Sequence, residues 1–296
     1  MSAEAVYSRE SMIAGLKALG LKRGDCVLMH SDLRSLAQPR EVLAAGDQGG
    51  MDWLIEALRE VLGPSGLLAV PTFTKCFKPG EPGPTGQVWH PDKTPSRVGQ
   101  ITNYLLGLPD RKRSDHPTHS VAAIGRDADA FCRGHSWREG ATTFDRNGPW
   151  GHLVDADGYL LWLGTDMRTQ TCVHVVEDWM RLPYMATCVA LVNDHGVTRE
   201  VNVTQSPAGP RDFYRKGSKV EQAWNAAGKG RRGKVCRADG HLMGAGEFFE
   251  WLRDALLKDP ALLLSDDPQD PWSVEARQKT AAYLAQNPGF AAWNRG

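Results

Sequence analysis

Three features of the sequence predict an α/β fold, a three-layer α/β/α sandwich around a mixed, largely parallel sheet. Short apolar runs alternate with segments of helical period through the first two-thirds of the chain. Such alternation builds a sheet covered by helices on both faces. A length of 296 residues with 41% apolar content, without repeat or linker, is enough for one large core, so a single domain over 1–296 is expected.

The elements follow in order. Met12, Ile13, Leu16 and Leu19 form a stripe that Gly20 stops, which makes a first helix, and CVLMH (26–30) is then a short buried strand. Met51, Leu54, Ile55, Leu58 and Leu62 recur at helical spacing up to Gly63-Pro64, and LLAVPTF (67–73) reads as the next strand. The stretch 75–96 carries five prolines and three glycines, so it is loop, and a loop of that length in a compact domain is expected to cover a ligand. A helix over 97–107 leads to strand VAAIG (121–125), and a loop-rich stretch leads to YLLWLG (159–164). A helix over 171–182 leads to TCVALV (187–192), which pairs through a turn at Asn193 to Gly196 into a small β-hairpin region. Helices over 244–257 and 274–286 close the pattern.

Charge narrows the function classes. Thirty-five basic residues balance thirty-five acidic ones and the one basic run is GKGRRGK (228–234), so neither a nucleic-acid nor a membrane partner is expected. No secretory h-region opens the chain and no apolar run is long enough to span a bilayer. Six cysteines lie scattered without a C-x-x-C pair, as in a protein with reduced thiols. The expectation is a cytoplasmic protein with a small-molecule partner.

Several motifs can be set aside. GKGRRG (228–233) satisfies G-x-G-x-x-G, but the preceding KVEQAWNAA is no strand, and Val235 stands where a P-loop needs Ser or Thr. No G-x-S-x-G occurs, which leaves a serine nucleophile without its elbow. A zinc reading combines His116 and His119 with His174 and Glu177, yet Pro117 pushes His116 out of helical geometry, so the first pair shares no helix face. What remains is polar residues at the carboxyl ends of predicted strands, where open α/β sheets bind ligands: His30, Ser31 and Asp32; Thr72 and Thr74; Thr165 and Asp166. Among nine histidines, His30 and the His174–Glu177 pair stand out because they abut strand or helix ends. Whether His116 and His119 ligate, catalyse or line a cleft stays open on the residues alone.

VLMHSDLRSL, GPSGLLAVPTFT, TPSRVGQIT, HPTHSVAAIG, FDRNGPWGHL, LLWLGTD followed by CVHVVED, and GKVCRADGHLM occur in one order. In that order and spacing, over about residues 8–257, the chain resembles the aminoglycoside 3-N-acetyltransferase family, whose fold is distinct from the GNAT acetyltransferases. The resemblance implies acetyl-CoA as cosubstrate, no metal, and an amine acceptor, the 3-amino group of a 2-deoxystreptamine ring, with antibiotic resistance as the result. It implies that Ser31, Leu33, Ser35, His119, Ser120 and Val121 lie along the CoA arm and that His174 is the catalytic histidine. A general base is needed because an ammonium is not a nucleophile. Asp145 is the first choice for the acid that orients His174, His30 is expected near the thioester, and Glu177 and Asp178 are expected to bind substrate ammonium groups. An acid-lined cleft of Asp32, Asp145, Asp166, Glu177 and Asp178 suits a polycation. Ala37 stands where relatives carry glycine, so the following loop is altered. Two alternatives remain: an acyltransferase of the same fold acting on another amine, and a metal-dependent hydrolase using His30, His116, His119 and His174.

Overall fold

The structure, a computed structural model, describes residues 7–44, 50–78, 80, 86–207 and 209–287. Its strands are β1 (Cys26–Ser31), β2 (Leu67–Pro71), β3 (Lys112–Arg113), β4 (Val121–Gly125), β5 (Tyr159–Leu163), β6 (Ala186–Asp194), β7 (Val197–Ser206), β8 (Arg231–Val235) and β9 (Ala238–Gly244). Its helices are α1 (Arg9–Ala18), α2 (Leu33–Leu36), α3 (Pro39–Ala44), α4 (Met51–Leu62), α5 (Gln100–Leu106), α6 (Ala128–Cys132), α7 (Pro149–Asp155), α8 (Val173–Trp179), α9 (Lys219–Ala227), α10 (Ala245–Lys258) and α11 (Pro271–Gln286).

Seven strands form one sheet in the order β3-β4-β2-β1-β5-β9-β8, and β6 pairs with β7 alone. The sheet is mixed, but the parallel share is smaller than expected: only β1–β2 and β1–β5 run parallel, and the other four pairings are antiparallel. The reason is local. Between β3 and β4, and between β8 and β9, the chain reverses without a crossover helix, so each pair must be antiparallel. Neither β3 nor β8 carries an apolar run, which is why periodicity does not predict them.

Side chains alternate across the sheet and are buried on both sides. Leu28, Ala69, Ala123, Leu160 and Trp162 face one core with α6, α7, α8 and α10. Val27, Met29, Leu68, Val70, Ile124 and Leu161 face a second core with α1, α4 and α5. These are the three layers of the sandwich. Ser8 caps α1, its hydroxyl accepting from the Ser11 N–H at 3.2 Å, and Gly20 follows the last turn at φ 98°. α1 also crosses β8 closely: a Cβ at Gly15 would lie 2.7 Å from the Lys234 carbonyl oxygen.

The predicted hairpin is present, its turn made by His195 and Gly196 at φ 51° and 91°. The described part of the 75–96 loop lies along this hairpin, with Phe77 bridging Ala190 and Trp89 bridging Val192, and it does not border the cavity described below. Residues 79 and 81–85 of that loop, and 45–49 of the altered loop after Ala37, fall outside the described residues. No helix among the described residues is long and apolar enough to cross a membrane.

Candidate active site

The parallel trio β2, β1, β5 sends its carboxyl ends to the same edge of the sheet, and a cavity of about 670 Å³ opens there. Its wall includes His30, Ser31 and Leu33 after β1, Phe73 after β2, and Thr165 and Thr171 after β5. His30 meets the Thr171 hydroxyl through Nε2 at 2.9 Å, and burial pulls its imidazole down to about 4, so it is neutral at physiological pH. His30 Nδ1, Ser31 Oγ and Thr165 Oγ1 are buried without a partner among the described residues. Three orphan polar atoms on one wall suit a ligand that is largely apolar but carries amides.

Three residues beyond Thr171 is His174, on α8. Three valines make VHVVEDW a poor autonomous helix, so packing holds it: Val173, Val175 and Val176 are fully buried. The i,i+3 spacing then brings His174 and Glu177 together, and His174 Nδ1–H donates to Glu177 Oε2. The same carboxylate accepts from the Tyr184 hydroxyl at 2.7 Å and from Arg211 Nε at 3.1 Å. Arg211 is buried between the rings of Tyr184 at 4.5 Å and Trp272 at 5.0 Å. Burial pushes the Glu177 carboxyl up, but the Arg211 charge, His174 and the Tyr184 hydrogen bond together hold it down at about 2. With Nδ1 carrying the proton toward Glu177, His174 Nε2 is left as the lone-pair nitrogen. It faces the Tyr214 hydroxyl at 3.2 Å, and the rings of Phe144 and Phe213 lie 5.8 and 5.1 Å from the imidazole. This arrangement can take up a proton at Nε2 and stabilise the resulting charge through Glu177.

Several residues named from the sequence lie elsewhere. Asp145 is not the partner of His174: its carboxylate accepts from the N–H groups of Thr142 and Asn147, at 3.1 and 2.9 Å, and closes the turn before α7. Glu177 takes the orienting role instead and, being fully buried with three donors, has no face for substrate. Asp178, also expected at the substrate, is buried and accepts from the Phe144 N–H at 2.8 Å, burial raising it to about 6. Asp32 and Asp166 are bound by Arg34 and Arg168. None of the five acids expected to line a polycation site is therefore free of a protein partner.

Of the residues expected along the CoA arm, Ser31 and Leu33 line the cavity. Ser35 instead donates to the Asp32 carbonyl at 2.6 Å, against Gly164, where any Cβ would clash with it. Ser120 and Val121 are fully buried: Ser120 Oγ donates to the Thr72 carbonyl at 2.9 Å, and Val121 belongs to the core. His119 packs on Phe73 at 4.6 Å and Phe144 at 5.3 Å, linking the cavity wall to the ring beside His174, and burial pulls it to about 3. His116 stacks on His135 at 4.5 Å, and its Nδ1 accepts from the His119 N–H at 3.1 Å. Among the described residues no group of three or more His, Cys, Asp or Glu is placed to hold a metal ion. Thr171, Tyr184, Arg211 and Tyr214 were not among the predicted residues; the last two lie 34 and 40 positions from their partners, beyond any local spacing rule.

The family model described as aminoglycoside 3-N-acetyltransferase matches residues 28–256. The SPbeta prophage-derived aminoglycoside N(3')-acetyltransferase-like protein YokD of Bacillus subtilis is 31% identical over 193 residues, covering 60% of this chain and 66% of that protein. Aminoglycoside N(3)-acetyltransferase VII of Streptomyces paromomycinus is 27% identical over 277 residues, covering 84% of this chain and 92% of that one. Among solved structures, the apoenzyme of aminoglycoside acetyltransferase AAC(3)-IVa aligns with a TM-score of 0.75 at 23% identity, over 94% of this chain and all of the other. AAC-IIIb, solved as a binary complex with CoASH, aligns with a TM-score of 0.71 at 24% identity, over 85% and 96% of the two chains.

Proposed function

The chain belongs to the aminoglycoside 3-N-acetyltransferase family, and from that premise we propose that it transfers the acetyl group of acetyl-CoA to an amine of an aminoglycoside, the 3-amino group of the 2-deoxystreptamine ring. Modification of the drug at that amine is a resistance activity. The single observation that carries the reading is the His174–Glu177 pair, with Nδ1 held by a buried carboxylate, beside a cavity with unpartnered polar atoms on its wall.

The cavity suits the pantetheine arm, whose two amides match the orphan atoms of His30, Ser31 and Thr165. In the reaction the acceptor ammonium gives its proton to His174 Nε2, displacing the Tyr214 hydroxyl, and Glu177 stabilises the imidazolium. The amine nitrogen then bonds to the thioester carbonyl carbon as the carbon–sulfur bond breaks. The proton held at Nε2 passes to the leaving thiolate, and the second proton of the attacking nitrogen passes to the freed Nε2 and from there to solvent, which leaves a neutral amide and a neutral histidine. Arg211 and Tyr184 fix Glu177 in place throughout. A cytoplasmic location belongs to the same reading, since acetyl-CoA is made there and all six cysteines are buried free thiols.

The test is thiol release from acetyl-CoA over a panel of 2-deoxystreptamine aminoglycosides and simpler primary amines. Acceptor-dependent release with at least one aminoglycoside is expected. Release with simple amines alone would move the acceptor to another class, and a saturating CoA titration that leaves the melting temperature unchanged would remove the acetyltransferase reading.

A further inference from the structure

One arrangement at the mouth of the cavity plays no part in the chemistry above. β1 and β5 are parallel neighbours, with His30 opposite Trp162 and Ser31 opposite Leu163, and the same three-residue pattern follows both, directly after β1 and, beyond Gly164-Thr165, after β5. After β1 it is Asp32-Leu33-Arg34; after β5 it is Asp166-Met167-Arg168. In both, the aspartate accepts from the backbone N–H two residues on, at 3.1 Å for Arg34 and 3.0 Å for Arg168. In both, it also holds that residue's guanidinium by one edge. Arg34 donates from Nε at 3.0 Å and from Nη2 at 2.9 Å; Arg168 donates from Nε at 2.9 Å and from Nη2 at 2.7 Å.

A guanidinium has five N–H groups in a rigid plane. Fixing the Nε and Nη2 edge leaves the Nη1 edge directed away from the carboxylate, and neither Nη1 has a protein partner among the described residues. Both arginines border the cavity and both side chains are open to solvent, 90% for Arg34 and 46% for Arg168. Helix capping accounts for the two aspartates, each of which caps the short helix after its strand, but exposed aspartate–arginine pairs contribute little to stability, so an arginine held at each cap is not accounted for by folding. Their shared effect is to orient two planar forks at one opening, and a planar fork matches a phosphate.

The geometry points to Arg34 and Arg168 as a two-armed clamp for the phosphate oxygens of the CoA moiety, each arm oriented by its own aspartate. The inference rests on the acetyl-CoA reading above, because CoA is the phosphate-bearing substrate of that reaction. The carboxylates cancel the net charge, so the clamp acts through oriented donors, and its affinity falls less steeply with salt than that of an unpaired basic patch.

The measurement is calorimetric binding of CoA, dephospho-CoA and pantetheine to the full chain and to Arg34→Ala, Arg168→Ala and the double variant. Each single change is expected to weaken CoA about 10-fold and the two together about 100-fold, with pantetheine affinity unchanged. Equal losses for CoA and dephospho-CoA would assign the contact to the diphosphate; a loss confined to CoA would assign it to the 3′-phosphate. The double Arg→Lys variant keeps the charge without the fork and is expected to fall between. A double alanine variant that binds CoA as tightly as the parent, loses pantetheine equally, or is fully rescued by lysine would overturn the clamp. Such a variant in a chain that still acetylates its acceptor sinks the clamp alone; a parent chain that does not bind CoA sinks the reading it rests on as well.

Discussion

Glu177 and Asp145 show how little residue type says about a carboxylate's task. Both are acids near His174 in sequence or motif order, but Glu177 is buried with three donors on it while Asp145 accepts two backbone N–H groups of a turn. Glu177→Gln keeps the shape but removes the charge that stabilises the imidazolium. It is expected to lower kcat by roughly 10- to 10³-fold in the thiol-release assay, with CoA binding retained. His174→Ala, which removes the proposed base, is expected to lower kcat/KM by roughly 10² to 10⁴. Asp145→Asn is expected to leave turnover within about twofold and to cost about 1 kcal/mol of stability, since an amide oxygen can replace only part of the turn's hydrogen bonding. Turnover reduced in Asp145→Asn and normal in Glu177→Gln would exchange the two roles.

At the scale of elements, the active-site pair depends on a helix far from it in sequence. α11 lies wholly beyond the stretch matched by the family model, yet its Trp272 packs against Arg211, whose Nε holds Glu177. Gly209 allows that approach: at φ 70°, a Cβ there would fall 2.2 Å from the Trp272 ring. Trp272→Ala is therefore expected to lower kcat about 10-fold with little change in KM for acetyl-CoA, and to cost about 2 kcal/mol in denaturant unfolding. Unchanged kcat would confine α11 to a structural role. The sequence made the local half of this assembly legible and hid the other half. His174 and Glu177 declare themselves by i,i+3 spacing, and β1, β2, β4 and β5 by apolar runs, because strands covered on both faces are apolar throughout. Arg211 and Trp272 carry no local signal, since what defines them is a tertiary stack. Strand β8 is an edge strand of exposed basic residues, RRGKV, which reads as a surface loop until its pairing with β9 is seen. Asp145 misled because a turn-closing aspartate and a catalytic one have the same neighbours in sequence.

The whole molecule carries a consequence of its buried histidines. His30, His116 and His135 are buried and His119 is half-buried, and burial pulls His30 to about 4, His116 well below 6.5, His119 to about 3 and His135 to about 4. His116, His119 and His135 form one group beside Phe73 and Phe144, joined by the His116–His135 stack and the Thr118 hydroxyl, so a charge added to His116 or His135 has no solvent to reach. Depressed folded values mean that the stability these groups contribute is intact above pH 6.5 and lost as pH falls toward their folded values. Each costs roughly 1.4 kcal/mol per pH unit below 6.5, so four together cost roughly 5 kcal/mol per unit against a total stability on the order of 10 kcal/mol. Asp178, raised to about 6 by burial, works in the opposite sense, its protonation favouring the folded state as pH falls, but it is one group against four. Cooperative acid unfolding is therefore expected between about pH 6 and 4, earlier than carboxylate titration alone would bring it. Tryptophan fluorescence from ten indoles would follow the transition, and denaturant midpoints at pH 7 and 5.5 would give its slope. His135→Gln, whose amide can still meet Ser114 Oγ and the Thr143 carbonyl, should lower that slope by about one proton. A fold that stays intact at pH 4, with a midpoint unchanged from pH 7, would mean that these imidazoles accept charge in place and that the cluster opens to solvent more readily than its burial implies.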